Sequence, residues 1–152
     1  MAEAIVEIQD DELKALCKRL NSASLSSEDR RRLLSSIGVE METQTKERLA
    51  TQNSAPDGEK WKNLANSTKK YYLKKFGTEN PKTKLLYRTG SLLDSVTSET
   101  DNWSVLVGAT KVYAAVHQWG YKKIPARKYL GLSTQDKADV MAIIEQFMSE
   151  RL

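Results

Sequence analysis

Two side chains here are of the types from which nucleophilic or metal chemistry is built: Cys17 and His117, each the single residue of its kind. A thiolate paired with an imidazole carries acyl transfer, and an imidazole joined by further His or Cys ligands holds zinc. Neither set has its parts. Cys17 shares helical spacing with Leu13, Leu16 and Leu20, the place of a small buried hydrophobe. His117 has no second His or Cys at metal-ligand spacing, so it reads as a structural, hydrogen-bonded residue beside Trp119. There is no G-x-x-x-x-G-K-[ST] phosphate loop and no G-x-S-x-G nucleophile elbow, and the scattered carboxylates mark no glycosidase pair. The expectation is a protein that is not an enzyme and uses no cofactor and no metal.

What the side chains do offer is contact. Lys60, Lys62, Lys69, Lys70, Lys74, Lys75, Lys82, Lys84 and Arg88 are opposed in their stretch only by Glu79. Two readings stand side by side: a solvated helix face with its loops, or an arm that meets acid. The acid would be nucleic-acid phosphate, bound without sequence choice, or an acidic face on a neighbouring subunit. Arg127 is either an anion ligand or a donor to backbone carbonyls. Trp103 reads as core from its place in an alternating strand, whereas Trp61 and Trp119 are satellite core or interface anchors. The candidate interface is Trp61, Lys69, Lys70, Lys74, Lys75, Lys82, Lys84, Trp119, Tyr121 and Arg127.

These groups need elements to position them. A short first helix begins at Asp10 or Asp11. A second is announced by Ser26 and Asp29 and carries the stripe Leu33, Leu34, Ile37, Met41 and Leu49. Gly38 inside it costs roughly 1 kcal/mol against alanine, which points to close packing or a bend. Thr51–Glu59 gathers turn residues and reads as a surface loop. A third helix starts near Asn66 or Ser67 and stops at Gly77, with Tyr72 and Phe76 on one face. A two-residue turn at Asp101-Asn102 would set Val96, Trp103, Val105 and Val107 on the buried face of a hairpin. Val112–Gly120 is a short helix or a strand; Ile124–Arg127 is extended, because proline moves its predecessor out of the helical region. Ser133 and Asp136 cap a last helix with the stripe Val140, Ile143, Ile144, Phe147 and Met148. The fold class expected is α+β, with N-terminal helices, a small antiparallel sheet built on a hairpin, and a C-terminal helix.

A chain of 152 residues fits one domain with a real core, read as an N-terminal helical extension over residues 1–24 and a body over 25–152. Charged residues at 29% and hydrophobic ones at 39% give a soluble globular balance. The net charge of +4 permits a polyanionic partner without requiring one. One cysteine excludes an internal disulfide framework, the acidic N-terminus is unlike a secretory signal, and no stretch approaches a membrane span. A protein made in the cytoplasm and kept there, or packed into a particle assembled there, is expected.

An ordered set of fragments adds to this reading. Pro56-Asp57-Gly58 is followed by Trp61, Leu64 and Thr68, then by Leu86 to Leu92 as LYRTGSL, then by Val107-Gly108. Tyr113 to Gly120 as YAAVHQWG, Ile124 to Arg127 as IPAR, and Leu130-Gly131 complete it. From about Leu25 to the C-terminus the chain resembles the tailed-phage virion morphogenesis family, also called the tail completion proteins. Trp119 stands where the family pattern favours Phe, and Lys128 where it often has Pro. The resemblance implies a non-enzymatic virion component acting late in assembly, at the head-proximal end of the tail or the neck, where head and tail join. It also implies a homo-oligomeric, commonly six-fold ring, with tail-tube or neck proteins as partners and possible non-specific contact with DNA in the channel. The alternative class is a basic nucleic-acid-binding protein acting through the Lys60–Arg88 arm.

Overall fold

The computed structural model describes residues 11–22, 25–78, 85–86 and 90–151. In chain order the elements are α1 (Asp11–Ser22), α2 (Ser27–Glu47), a π-helical turn (Arg48–Gln52), α3 (Asn66–Phe76) and α4 (Ser91–Asp94). They continue as β1 (Val96–Thr100), β2 (Val105–Ala109), α5 (Ala114–Trp119) and α6 (Thr134–Arg151). The expected α+β class is the one observed.

Local chemistry explains most boundaries. The Ser26 hydroxyl accepts from the Asp29 N–H at 3.1 Å, satisfying one of the free donors that open α2. A reciprocal box opens α6: the Asp136 N–H donates to Ser133 Oγ, and the Ser133 N–H donates to Asp136 Oδ2, each at 3.0 Å. Gly77 stops α3 in the left-handed region at φ 73°, its N–H donating to the Leu73 carbonyl. Val112–Gly120, which pattern alone left between helix and strand, contains α5, and Gly120 closes it at φ 80°.

Burial gathers two clusters. In the first, Leu33 and Ile37 of α2 meet Val140 and Ile144 of α6, flanked by Met41, Ile143, Phe147 and Met148 and by Leu20 of α1. Leu20 thus joins the body's core; the side chains of Leu13, Leu16 and Cys17 lie outside the described structure. The second joins Leu49, Ala55, Trp61, Leu86, Leu92, Val96, Ala114, Tyr129 and Leu130. Leu49 belongs here because the helical stripe of α2 passes into the π-helical turn. Ala55 corrects the reading of Thr51–Glu59 as purely surface: its methyl is buried while Asp57 and Gly58 stay exposed.

The β1–β2 hairpin lies against α2, and Gly38 is why it can. A Cβ at Gly38 would sit 2.7 Å from Val105 Cγ2 and 3.2 Å from Ser98 Cβ, so the helix backbone is in near contact with the sheet. The hairpin turn differs from expectation. Thr100 pairs with Val105, not Trp103, leaving a four-residue loop, Asp101–Ser104. Its cause is the Asp101 carboxylate, whose Oδ1 accepts the N–H groups of Trp103 and Ser104 at 2.7 Å each. Those two bonds, joined by the Ser104 hydroxyl, hold the carboxyl below its usual range. A slip of two residues preserves side-chain alternation, so Val105 and Val107 keep the inner face with Val96. Trp103 alone leaves it. Expected in the core, it is 73% exposed at the loop, with the Arg30 guanidinium 3.9 Å over its ring.

A candidate interaction surface

Behind the exposed segments stands a set of buried polar groups. Arg48 is 1% exposed. One of its terminal nitrogens donates to the Tyr129 carbonyl at 2.8 Å, and the other pairs with the Asp136 carboxylate. The π-helical turn, the 129–133 segment and the start of α6 are thereby tied at one point. A buried arginine whose charge is met by a carboxylate and a carbonyl is tolerated where an unpaired one would not be. Gln44 adds a 3.2 Å bond to the Asp136 carbonyl.

α5 is held from behind in the same manner. The buried Gln118 Oε1 accepts from both the Tyr129 and the Leu130 N–H at 3.0 Å, and the Tyr129 hydroxyl donates to the Ala114 carbonyl at 3.1 Å. Burial raises that phenol to about 12, keeping it a donor at any ordinary pH. The Arg127 N–H donates to the His117 carbonyl at 2.7 Å. His117 itself departs from the hydrogen-bonded ring expected of it: Nδ1 is buried with no partner among the described residues, and the ring lies edge-on to Tyr113. Burial, and then the Arg127 charge, push its pKa below the ordinary imidazole value.

Of the sequence candidates, Trp61 and Arg127 are internal to the subunit. Trp61 Nε1 donates to the Lys128 carbonyl at 2.8 Å, and Arg127 Nε and Nη2 donate to the Lys62 and Asn63 carbonyls at 2.8 and 3.1 Å. The donor reading of Arg127 is thus the one its geometry matches. Together these bonds stitch the segment leading into α3 to the segment following α5. Trp119 and Tyr121 are exposed, as are Lys70, Lys74 and Lys75, with Lys69 half-buried; Lys82 and Lys84 lie outside the described residues.

Three further large apolar residues of this region, Val112, Tyr113 and Ile124, are exposed as well. The Tyr121 and Ile124 backbones pair across a two-residue loop, and Lys122 takes φ 52° at its tip. A lysine there costs roughly 1–2 kcal/mol relative to a right-handed backbone. Gly120 has no alternative, since a Cβ would lie 3.0 Å from the Ala126 nitrogen and 3.1 Å from the Ile124 carbonyl oxygen. Alternation and helical periodicity could not have revealed these exposed residues, because they come from a short helix, its flank and a tight turn. The signal that was available is compositional: six large apolar residues from Val112 to Ile124 with no acid among them.

Charge is divided along the same seam. Lys60–Arg88 and Lys111–Lys128 hold fourteen of the chain's 24 Lys and Arg residues but one of its 20 Asp and Glu residues. The stitching by Trp61 and Arg127 brings these two cationic segments together. By contrast, residues 91–110 carry Asp94, Glu99 and Asp101 and no cation.

Exposed aromatics around a helix held from behind, on a chain that also carries an exposed lysine-rich helix, are features suited to contact with other macromolecules, the equipment of an assembly component. More particularly, the chain belongs to the phage virion morphogenesis family, a model of which matches residues 11–149. It is 41% identical over 69 residues to "Mu-like prophage FluMu G protein 2" of Haemophilus influenzae, covering 41% of this chain and 50% of the relative. It is 32% identical over 108 residues to "Mu-like prophage FluMu G protein 1" of the same organism, covering 70% and 72%. Against "Putative capsid assembly protein G" of Escherichia phage Mu the identity is 32% over 71 residues, covering 41% and 46%. The chain thus spans about half the length of two of these curated relatives. No solved structure matches. Membership assigns a phage structural or assembly role. Among the described residues no helix is long and apolar enough to cross a membrane, and no group of three or more His, Cys, Asp or Glu residues could hold a metal ion.

Proposed function

We propose that the chain is a subunit of an oligomeric ring, commonly six-fold in such assemblies, at the head-proximal end of a phage tail or its neck. There it completes the tail and lets the head join. It acts by contact and catalyses no reaction. The observation that carries this reading is the run of exposed large apolar residues on and around α5, Val112, Tyr113, Trp119, Tyr121 and Ile124, while α5 itself is held from behind by Gln118, Tyr129 and Arg127. Large aromatics with little freedom to lose are the residues that dominate interface energetics. A ring uses a heterologous interface, in which one patch meets a different patch on the next copy. The separation of cationic from acidic segments suits that geometry. Tail-tube or neck proteins are the partners above and below the ring, and the mature location is the virion.

Native mass spectrometry of the purified chain, with particles probed in parallel, tests the proposal. Higher oligomers, or the protein in virions, are expected. Trp119→Ala with Tyr121→Ala should weaken assembly while circular dichroism stays unchanged. A strict monomer absent from particles would overturn the reading.

A further inference from the structure

Resting on that ring reading, we propose that α3 of one copy docks on the outer face of the β1–β2 hairpin of the next, lysines against carboxylates. The two surfaces are complementary in charge and in apolar content. No residue of α3 is buried in its own subunit, and Tyr71, Leu73 and Phe76 are each about half exposed. Lys69, Lys70, Lys74 and Lys75 add four positive charges over eleven residues, with no acid in the helix. Lys75 lies 5.5 Å from the Tyr71 ring and 5.4 Å from the Phe76 ring, so cation and aromatic form one surface.

The hairpin supplies the counterpart. α2 takes its inner face through Gly38, while Thr97, Glu99 and Leu106 stand exposed on the outer one, with Glu99 and Leu106 directly opposite each other. Asp94 before the strands and Asp101 after β1 are exposed too, and the segment has no cation of its own. Arg30 and Arg31 of α2 flank the loop end, Arg30 over Trp103 and Arg31 near Asp101. The docking strip therefore runs from Asp94 to Glu99 and stops just short of the Asp101–Ser104 loop. A helix laid on an open sheet face is the ordinary way such a layer is closed. Here the helix comes from a neighbour. Because the two patches differ, each copy offers both, and the contact propagates around a ring. DNA would satisfy the lysines but leave Leu73, Phe76 and Leu106 exposed, which is why a second copy is the occupant favoured.

A charge swap tests this on the full chain. An arm variant carries Lys69→Glu, Lys70→Glu, Lys74→Glu and Lys75→Glu. A hairpin variant carries Asp94→Lys and Glu99→Lys, with Asp101 kept because its carboxylate holds the loop. Each alone places like charges face to face, and self-association should weaken by at least about a hundredfold. Mixing the two restores oligomers, with the copies alternating, because each then meets its opposite. Circular dichroism checks folding, and a Lys→Gln arm variant gives a milder loss without the reversed charge. An arm variant that oligomerises like wild type, or a mixture no better than its parts, overturns the docking while leaving the ring reading intact. The same holds if the arm variant loses only affinity for a duplex oligonucleotide. Wild-type chain that stays monomeric at every concentration and is absent from particles overturns the ring itself.

Discussion

Arg48 and Arg127 are buried and donate to backbone carbonyls and one carboxylate, whereas the lysines of α3 stand on a helix with no buried residue. The two groups of cations therefore do different work. The arginines join segments far apart in sequence, such as Arg48 with Asp136 and Arg127 with Lys62. Removing them should cost stability, because a buried partner is left without its charge or donor. Among the described residues the lysines show no bond from α3 to another element, so their removal should cost association far more than stability.

The sharpest way to break this contrast is Arg48→Met. It leaves the Asp136 carboxylate buried without its cation, and a loss of about 3–5 kcal/mol in a urea melt is expected. Next is Gln118→Leu, which keeps the volume but orphans the Tyr129 and Leu130 N–H groups together. A cost of roughly 2–4 kcal/mol should follow, with faster amide exchange at both positions. Gly38→Ala inverts the usual helix rule: its Cβ meets Val105, so overpacking of about 1–3 kcal/mol outweighs the propensity gain of roughly 1 kcal/mol. A net stabilisation there would show that the hairpin sits less tightly on α2 than the geometry says.

His117 provides a pH-dependent test. Its folded pKa lies below the unfolded value, so the unfolded chain binds more protons between the two. Stability should hold above the ordinary histidine range and fall as pH drops through it, and His117→Phe should flatten that slope. As the single histidine, its ring signals in an NMR titration are unambiguous. At exposed positions the effects are small, and Lys74→Ala should move stability by less than about 0.5 kcal/mol. Trp103→Ala, which removes one exposed stacking partner of Arg30, should cost no more than about 1 kcal/mol.

Much of the fold was legible because its signals are local. Ser26 with Asp29 and Ser133 with Asp136 announce helix starts through hydrogen bonds spanning three residues. Gly77 ends α3 through its own backbone freedom, and Val96, Val105 and Val107 alternate on one inner face. Trp103 was misplaced because the choice between a two- and a four-residue turn rests on where one carboxylate finds its donors, and both choices preserve alternation. The candidate surface was half legible. Lysines clustered in sequence remain clustered in space when they share a helix, as Lys69, Lys70, Lys74 and Lys75 do. Trp61 and Arg127 have types that serve interfaces and cores alike, and composition cannot separate those uses.

The chain by itself therefore determined its long helices, two of their caps, the alternation of the hairpin and the ordered residues that mark its family, since each depends on neighbours a few positions away. Only the tertiary structure decided which cations are buried, which aromatics stay exposed, and that the two cationic segments lie together. Those outcomes depend on bonds such as Arg127 to Lys62 and Arg48 to Asp136, which join residues more than sixty positions apart. Desolvation and long-range pairing, not residue type, assigned each charged side chain to the core or to the surface.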